Sequence, residues 1–485
     1  MTEQQKKDFR VINGNSLEIL DTLEENSVDA IITDPPYQLG FMGKSWDSTG
    51  IAYNVELWKK ALRVLKPCGY LLAFGGTRTF HRIAVAIEDA GFEIRDTIMW
   101  LYGSGFPKSM NIGKAIESYE TYGNSSTSSK RQFEQNCEGE TFIVKQTNNG
   151  AMGEIIEQER KNYIPNSENA KKWAGWGTCL KPAFEPIIVA RKPTNLTIAK
   201  NCLKWGVGGL NIDECRVGND LIKGGTMPDF DDIGKKQTAL GNGHRLSFGQ
   251  IENAKRIQCD DHFGRFPANV ITDGSEEVAM GMPNNKSTTT NSPLLDIRNN
   301  NYGNSNKTLD IAYERGYNDE GSALRYFYST KASKKDRDEG LERFENINAT
   351  QIIGRKENSK GLVMEGGKQN PFAGKASPNN KNIHPTVKPV GLMQYLVRLI
   401  TPKGGVVLDI FNGSGSTGKA VAFENRERDA NYKYIGIELT PEYVDISLAR
   451  IDYALNKYEY DLIKEENERK AKGDISLFDF IDEGE

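Results

Sequence analysis

Apolar residues fall into two blocks, one near each end of the chain. Val28-Asp-Ala-Ile-Ile-Thr33 is a short, mostly apolar run that ends in a turn, which predicts a buried strand. From Val55 to Leu65 the apolar positions Leu57, Trp58, Ala61, Leu62 and Leu65 recur at helical spacing and stop at Lys66-Pro67, the pattern of an amphipathic helix closed by proline. Tyr70 to Phe74 is a second continuous run ending at Gly75-Gly76. Phe80 to Ala90 reads as a helix with Gly91 at its C-cap, and Glu93 to Leu101 as the next strand. Toward the other end, Gly405 to Ile410 and Tyr434 to Leu439 read as strands separated by a helix from Ser416 to Glu424. Thr440-Pro441 supplies an N-cap and a first-turn proline for a last helix, with Val444, Leu448, Ile451 and Leu455 on its apolar face. Apolar strands alternating with amphipathic helices predict a parallel sheet covered on both faces.

Between the blocks lie polar stretches rich in Asn, Ser, Gly and Lys, roughly 118–170, 284–320 and 350–382, with structured islands at Phe184 to Ala190 and Phe263 to Thr272. Neither end holds enough strands for a complete doubly wound sheet. The expectation is therefore one α/β, Rossmann-like domain split by a long insertion. Its halves are residues 1–117 and 381–458, the insertion is 118–380, and 459–485 form an acidic tail. Two separate half-size α/β domains are the competing arrangement.

Composition narrows the class. No run nears the roughly 18 apolar residues that span a bilayer, and the first residues lack the apolar segment of a signal peptide. Six cysteines without a Cys-x-x-Cys pair are no disulfide framework in a chain of 485 residues. A soluble, cytoplasmic protein is expected. The net charge of −4 conceals local asymmetry. Residues 170–206 carry seven basic side chains (Lys171, Lys172, Lys181, Arg191, Lys192, Lys200, Lys204) against the single acid Glu185, and 354–403 carry nine against two. Such segments suit a groove that follows a phosphate backbone, although a solvated face has the same signature. Cys179, Cys202, Cys215, Cys259 and His262 match no zinc-module spacing, so no metal is expected.

Two motifs carry chemistry. Asp409-Ile-Phe-Asn-Gly413-Ser-Gly415-Ser-Thr-Gly418-Lys419 follows a strand and opens a helix, and Glu438 ends the next strand. Gly413, Gly415 and Gly418 satisfy Gly-x-Gly-x-x-Gly, with the acid at the distance where a dinucleotide fold places its ribose ligand. The same residues nearly spell a phosphate-binding loop, but Ala420 replaces the hydroxyl that would hold magnesium. Asp409, four residues before Gly413, would face the pyrophosphate of a nicotinamide cofactor at a helix N-terminus. It suits the cationic sulfonium and ammonium groups of S-adenosylmethionine (SAM) better. A tight turn without any ligand is the bland alternative. The second motif, Asp34-Pro35-Pro36-Tyr37, follows the strand Val28 to Ile32 and, alone, could be a turn.

Together, Asp34-Pro-Pro-Tyr37 and Asp409-x-Phe-x-Gly-x-Gly415 resemble the amino-methyltransferases of DNA, in the order of their circularly permuted beta class. The resemblance covers roughly residues 9–110 and 380–455. It implies a site-specific enzyme that moves a methyl group from SAM to adenine N6, or to cytosine N4 by the same chemistry, within double-stranded DNA. Asp34 and the Pro35 carbonyl would accept the amino hydrogens, Pro36 would stiffen the loop, and Tyr37 would stack on a base swung out of the duplex. Asp409, Phe411, Gly413, Gly415 and Glu438 would hold SAM. Thr386 and Lys388, in Asn382-Ile-His-Pro-Thr-Val-Lys388-Pro, resemble the family's segment at the methionine end of SAM. Asn15 stands where the family commonly has an acid near the SAM adenine. Gly40 to Asp47, with Trp46, and Tyr102 to Ser109 resemble a phage- and prophage-type branch, with Lys108 a candidate DNA contact. Lys171, Lys172, Lys181, Arg191 and Lys192 are the candidates for backbone contacts within the expected target-recognition insertion. A restriction endonuclease is a candidate partner. Pro67-Cys68 matches the nucleophile dipeptide of cytosine-C5 enzymes but sits in a helix-to-strand turn, which makes Cys68 structural. A nicotinamide oxidoreductase and a DNA-binding scaffold without catalysis are the competing functions.

Overall fold

The computed structural model describes residues 1–38, 49–103, 105, 109–123, 141–147, 155–161, 163–222, 226–228, 256–258, 260–286, 290–292, 313–315, 320–330, 334–345, 381–457 and 460–461. Two compact units result, Met1–Leu210 with Thr330–Glu485, and Asn211–Ser329.

In the first unit, strands β1 (Phe9–Asn13), β2 (Val28–Thr33), β3 (Leu65–Phe74), β4 (Glu93–Leu101), β5 (Phe184–Arg191), β6 (Val406–Asp409) and β7 (Lys433–Glu438) lie in the order β1-β7-β6-β2-β3-β5-β4. β5 runs antiparallel to both its neighbours, whereas β1, β7, β6, β2 and β3 are mutually parallel. β6 pairs with β2 through Val407 opposite Ala30 and Leu408 opposite Ile31. The two ends of the chain thus build one sheet, which rules out separate half-domains. Every residue of β2 is buried, as a strand covered on both faces requires.

Helices α1 (Ser16–Thr22), α2 (Val55–Val64) and α3 (Phe80–Asp89) cover one face. Leu20, Leu57, Trp58, Ala61, Ile83 and Ile87 join Ile31, Leu71, Ala73 and Leu408 there in one core cluster. On the opposite side, α7 (Val390–Ile400), α8 (Ser416–Arg428) and α9 (Pro441–Leu455) pack against one another. Other helices of the unit include α4 (Ile112–Tyr122), α5 (Glu168–Lys172) and α6 (Ile198–Trp205).

The bounds of the insertion differ from the expected 118–380. Ile187 to Ala190 are buried, so the apolar island at 184–190 is an interior strand, and the second unit spans only Asn211–Ser329. The expected irregular stretch 118–170 also holds the C-terminal part of α4 and an antiparallel pairing of Thr141–Thr147 with Ile155–Lys161. β3 begins at Leu65 rather than Tyr70 because the pairing with β2 shifts register there. Cys68 sits in that irregularity with φ +64°, a conformation that side chains adopt reluctantly. The second unit pairs Val217–Ile222 with His262–Arg265 and Asn284–Lys286 with Glu320–Ser322, both antiparallel, and Val270–Thr272 with Tyr328–Ser329 in parallel. Among the described residues, no helix is long and apolar enough to cross a membrane.

Gly418 lets α8 approach β7. A Cβ there would lie 2.6 Å from Tyr434 Cε1 and 2.5 Å from Ile451 Cδ1. Tyr434 cannot give way easily, because it is buried and its hydroxyl donates to Asn412 at 2.6 Å. Gly418→Val is therefore expected to lower stability by about 1–3 kcal/mol, the usual cost of overpacking, and urea unfolding measures it.

Candidate active site

The carboxyl ends of the parallel strands define where a ligand can sit. β6 continues into α8 and β7 on one side, while β2 leads toward α2 and β3 on the other. The order therefore reverses between β6 and β2, the place where open α/β sheets bind ligands. A cavity of about 1400 Å³ opens along this edge, more than one drug-sized ligand needs. From β7 across to β4, the residues lining it are Glu438, Asp409, Asp34, Gly76, Glu185 and Tyr102. Glu185 reaches this edge because β5 runs antiparallel and opens here, with Phe184 opposite Leu101.

Asp409 joins the two motifs. Its Oδ1 accepts the Thr33 hydroxyl at 2.7 Å, from the last residue of β2, and its Oδ2 accepts the Thr417 hydroxyl at 2.6 Å, from the first turn of α8. The Phe411 backbone N–H adds a third bond at 3.1 Å. Burial pushes the Asp409 carboxyl up to about 6, against the pull of these donors. On the neighbouring strand, Glu438 Oε2 accepts from Gly413 N at 2.7 Å and Oε1 from Thr440 N at 2.8 Å. Gly413 and Gly415 adopt φ +53° and +75°. Side chains there would strike His384 and Ser447 at 2.9 and 2.3 Å. Below the loop, buried Arg450 donates to the Ser414 carbonyl at 2.5 Å.

Asp34, Tyr37, Lys388 and Glu185 form a second, charged cluster. Lys388 Nζ donates to Asp34 Oδ2 at 2.6 Å and to the Tyr37 hydroxyl at 3.1 Å, and lies 3.3 Å from Glu185 Oε2. Burial disfavours the ammonium, but the two carboxylates outweigh it and hold Lys388 above its ordinary range. Tyr37 donates to Glu185 at 3.1 Å. Burial, then the Asp34 and Glu185 charges, push its phenol well up, so it stays protonated. Asp34 Oδ1 is buried and has no hydrogen-bond partner among the described residues.

The structure brings Asp34, Pro35, Pro36, Tyr37, Asn15, Thr386, Lys388, Asp409, Phe411, Gly413 and Glu438 to this one cavity, while Gly415 caps α8 behind it. Several take positions other than those expected. Lys388 engages the Asp34 loop. The Asn15 side chain caps α1 by accepting from Leu17 N at 3.0 Å, so its oxygen already has a donor. Phe411 both lines the cavity and packs against the core. His384 was passed over in the sequence. Burial lowers it to about 4 and leaves the ring neutral, and its Nδ1 meets the Thr386 carbonyl while its ring packs edge-on against Tyr443. Glu185 stands out in the sequence only as the one acid of a basic stretch, which does not mark it as a site residue.

Arg191 and Lys192 correct the expected DNA contacts. They lie at the far end of β5, where Arg191 pairs with Glu93 at 2.5 Å and Lys192 donates to Asn26 and the Leu65 carbonyl at 2.8 Å. Both brace the sheet at the edge opposite the cavity. Lys181 lines the cavity, and Lys171 and Lys172 are exposed on α5. Lys108 and Trp46 lie outside the described residues. Lys419 is buried and paired with Asp336 and Glu339 at 3.0 and 3.1 Å. Cys68 is buried at the opposite end of β3, and burial raises its thiol, contrary to what a nucleophile needs.

A doubly wound sheet with an acid-braced glycine loop beside an Asp-Pro-Pro-Tyr loop defines a class of nucleotide-cofactor enzymes. The profile of the N6/N4 DNA methylase family matches residues 28–449, and the chain belongs to that family. Similar curated proteins include the type II methyltransferase M.HpaI of Haemophilus parainfluenzae, 36% identical over 110 residues, and M.HindIII of Haemophilus influenzae, 24% identical over 245. These matches cover 21% and 41% of this chain, and 34% and 64% of the relatives, so the chain spans a third to under two thirds of their length. Among solved structures, the cytosine-N4-specific PvuII DNA methyltransferase is 13% identical, with a TM-score of 0.36 and 93% of each chain covered.

Lys388 is the counter-charge of this site. Lys388→Met leaves two carboxylates together without a cation, and losing one partner of a buried pair costs about 3 kcal/mol. Urea midpoints of the variant and the wild type are expected to show that deficit.

Proposed function

We propose that the protein is a DNA methyltransferase that transfers the SAM methyl group to the exocyclic amino nitrogen of a base swung out of double-stranded DNA, with adenine N6 as the target. The observation that carries this reading is the state of Asp34. Lys388 fixes one carboxylate oxygen, while the other, on a residue that lines the cavity, has no donor among the described residues. An amino group with two hydrogens is the donor such an acceptor takes. That bond draws the nitrogen toward a tetrahedral geometry and frees its lone pair from the ring. Asp34 is also the base within reach of the proton that the nitrogen sheds. Tyr37 presents its ring beside Gly76, whose missing side chain leaves that space free: a Cβ there would come within 3.2 Å of the ring.

The residues fit SAM. Gly413 leaves room that a Cβ would fill, and Glu438, on the next strand, braces the loop with the acid suited to ribose hydroxyls. Asn15, Phe411 and Thr386 also line the cavity. When bound there, SAM supplies a methyl group activated by its sulfonium charge. Its room for two occupants lets the chain hold donor and acceptor together, which is the main source of acceleration in a direct transfer. Asp-Pro-Pro-Tyr in the family pattern favours adenine, while the acceptor at Asp34 serves cytosine N4 equally.

The test is incubation with mixed-sequence duplex DNA and methyl-labelled SAM, followed by nucleoside mass spectrometry. Labelled N6-methyladenine is expected; N4-methylcytosine would change the base and keep the site. Label at cytosine C5, or none from a folded, SAM-binding protein, would overturn the reading. Asp34→Ala is expected to bind SAM as the wild type does and to lose transfer by about 100-fold or more, the scale of removing one key polar group from an active site.

A further inference from the structure

The segment from Trp173 to Pro182, between α5 and β5, exposes apolar side chains at the rim of the cavity. Leu180 lines the cavity mouth, yet its side chain is 91% exposed. Trp173 and Trp176 are 37% and 60% exposed and meet edge-to-face with ring centroids 5.3 Å apart. The segment is held firmly from behind. Thr178 N donates to Ser109 Oγ at 3.0 Å, Met110 N donates to Thr178 Oγ1 at 3.0 Å, and Asn111 bridges to Gly177. Gly105 fits against the Pro182 carbonyl so closely that a Cβ would stand 1.8 Å from its oxygen. An exposed leucine on a braced loop stays at the rim instead of folding back onto the core. Lys171, Lys172 and Lys181 are the charged residues of 170–183, and Lys171 also pairs with Glu168 on its own helix at 2.9 Å.

We infer that Leu180 is a wedge that enters the duplex at the place the target base leaves, while Lys171, Lys172 and Lys181 hold the flanking phosphates. This rests on the proposed DNA methyltransferase activity. A base cannot reach Asp34 from within the stack, and the gap it leaves must be filled or collapse. An apolar side chain between base steps stabilises an opened duplex. Basic charge around an apolar tip matches the phosphates that flank an opened step of a DNA duplex.

The test uses a duplex bearing a site mapped from the wild-type protein's own methylation. The target base is either paired normally or placed opposite an abasic position, which removes most of the work of extrusion. Leu180→Ala is expected to lose about tenfold or more in kcat/KM on the paired duplex. On the abasic duplex it should return to within about twofold of wild type, with unchanged SAM affinity. Leu180→Met should stay near wild type on both. Equal wild-type and Leu180→Ala rates on the paired duplex would overturn the inference, as would equal losses on both duplexes. Wild-type transfer with an indifferent Leu180→Ala removes the wedge alone, whereas no wild-type transfer to any duplex removes the functional reading and the wedge with it.

Discussion

The Asp409 carboxylate, buried at the end of β6, accepts one hydroxyl from the end of β2 and another from the first turn of α8. Burying a carboxylate is costly unless hydrogen bonds compensate it, and here the compensating donors come from both ends of the chain. Thr33 immediately precedes Asp34, and Thr417 lies on the helix that the glycine loop opens. One side chain thus fixes the spacing between the loop suited to a nucleotide cofactor and the loop that carries the acceptor carboxylate. The reversal of strand order between β6 and β2 leaves the space above this junction open.

Charge in the neighbouring cluster is balanced differently. Asp34 and Glu185 come from β2 and β5, and the Lys388 ammonium between them keeps two carboxylates together in a half-buried site. Lys388 takes only one oxygen of Asp34, and the other has no hydrogen-bond partner among the described residues. β5 is the one antiparallel strand of this sheet between β3 and β4, and only that direction delivers Glu185 to the working edge.

The parallel core was legible in the sequence because its strands are continuous apolar runs and its helices carry clear stripes. Asp34, Asp409 and Glu438 were legible because each stands at the end of such a run. Glu185 was not. The island at 184–190 stands out from its polar surroundings, but its place in the sheet depends on long-range pairing, which periodicity does not encode. Arg191 and Lys192 misled for a related reason. Charge in sequence does not say at which end of a strand it lies, and theirs is the end that braces α2 and β4. Lys388 could be assigned to the site but not to its partner, because the Asp34 contact joins residues 354 positions apart.

The claim that Asp409 couples the two loops is tested most directly by measuring SAM affinity and methyl transfer in Thr33→Val, whose side chain is buried beneath the cavity. A buried hydrogen bond to a carboxylate contributes about 1.5–3 kcal/mol, so both quantities should fall by about tenfold or more. A folded Thr33→Val protein with wild-type affinity and wild-type transfer would contradict the account.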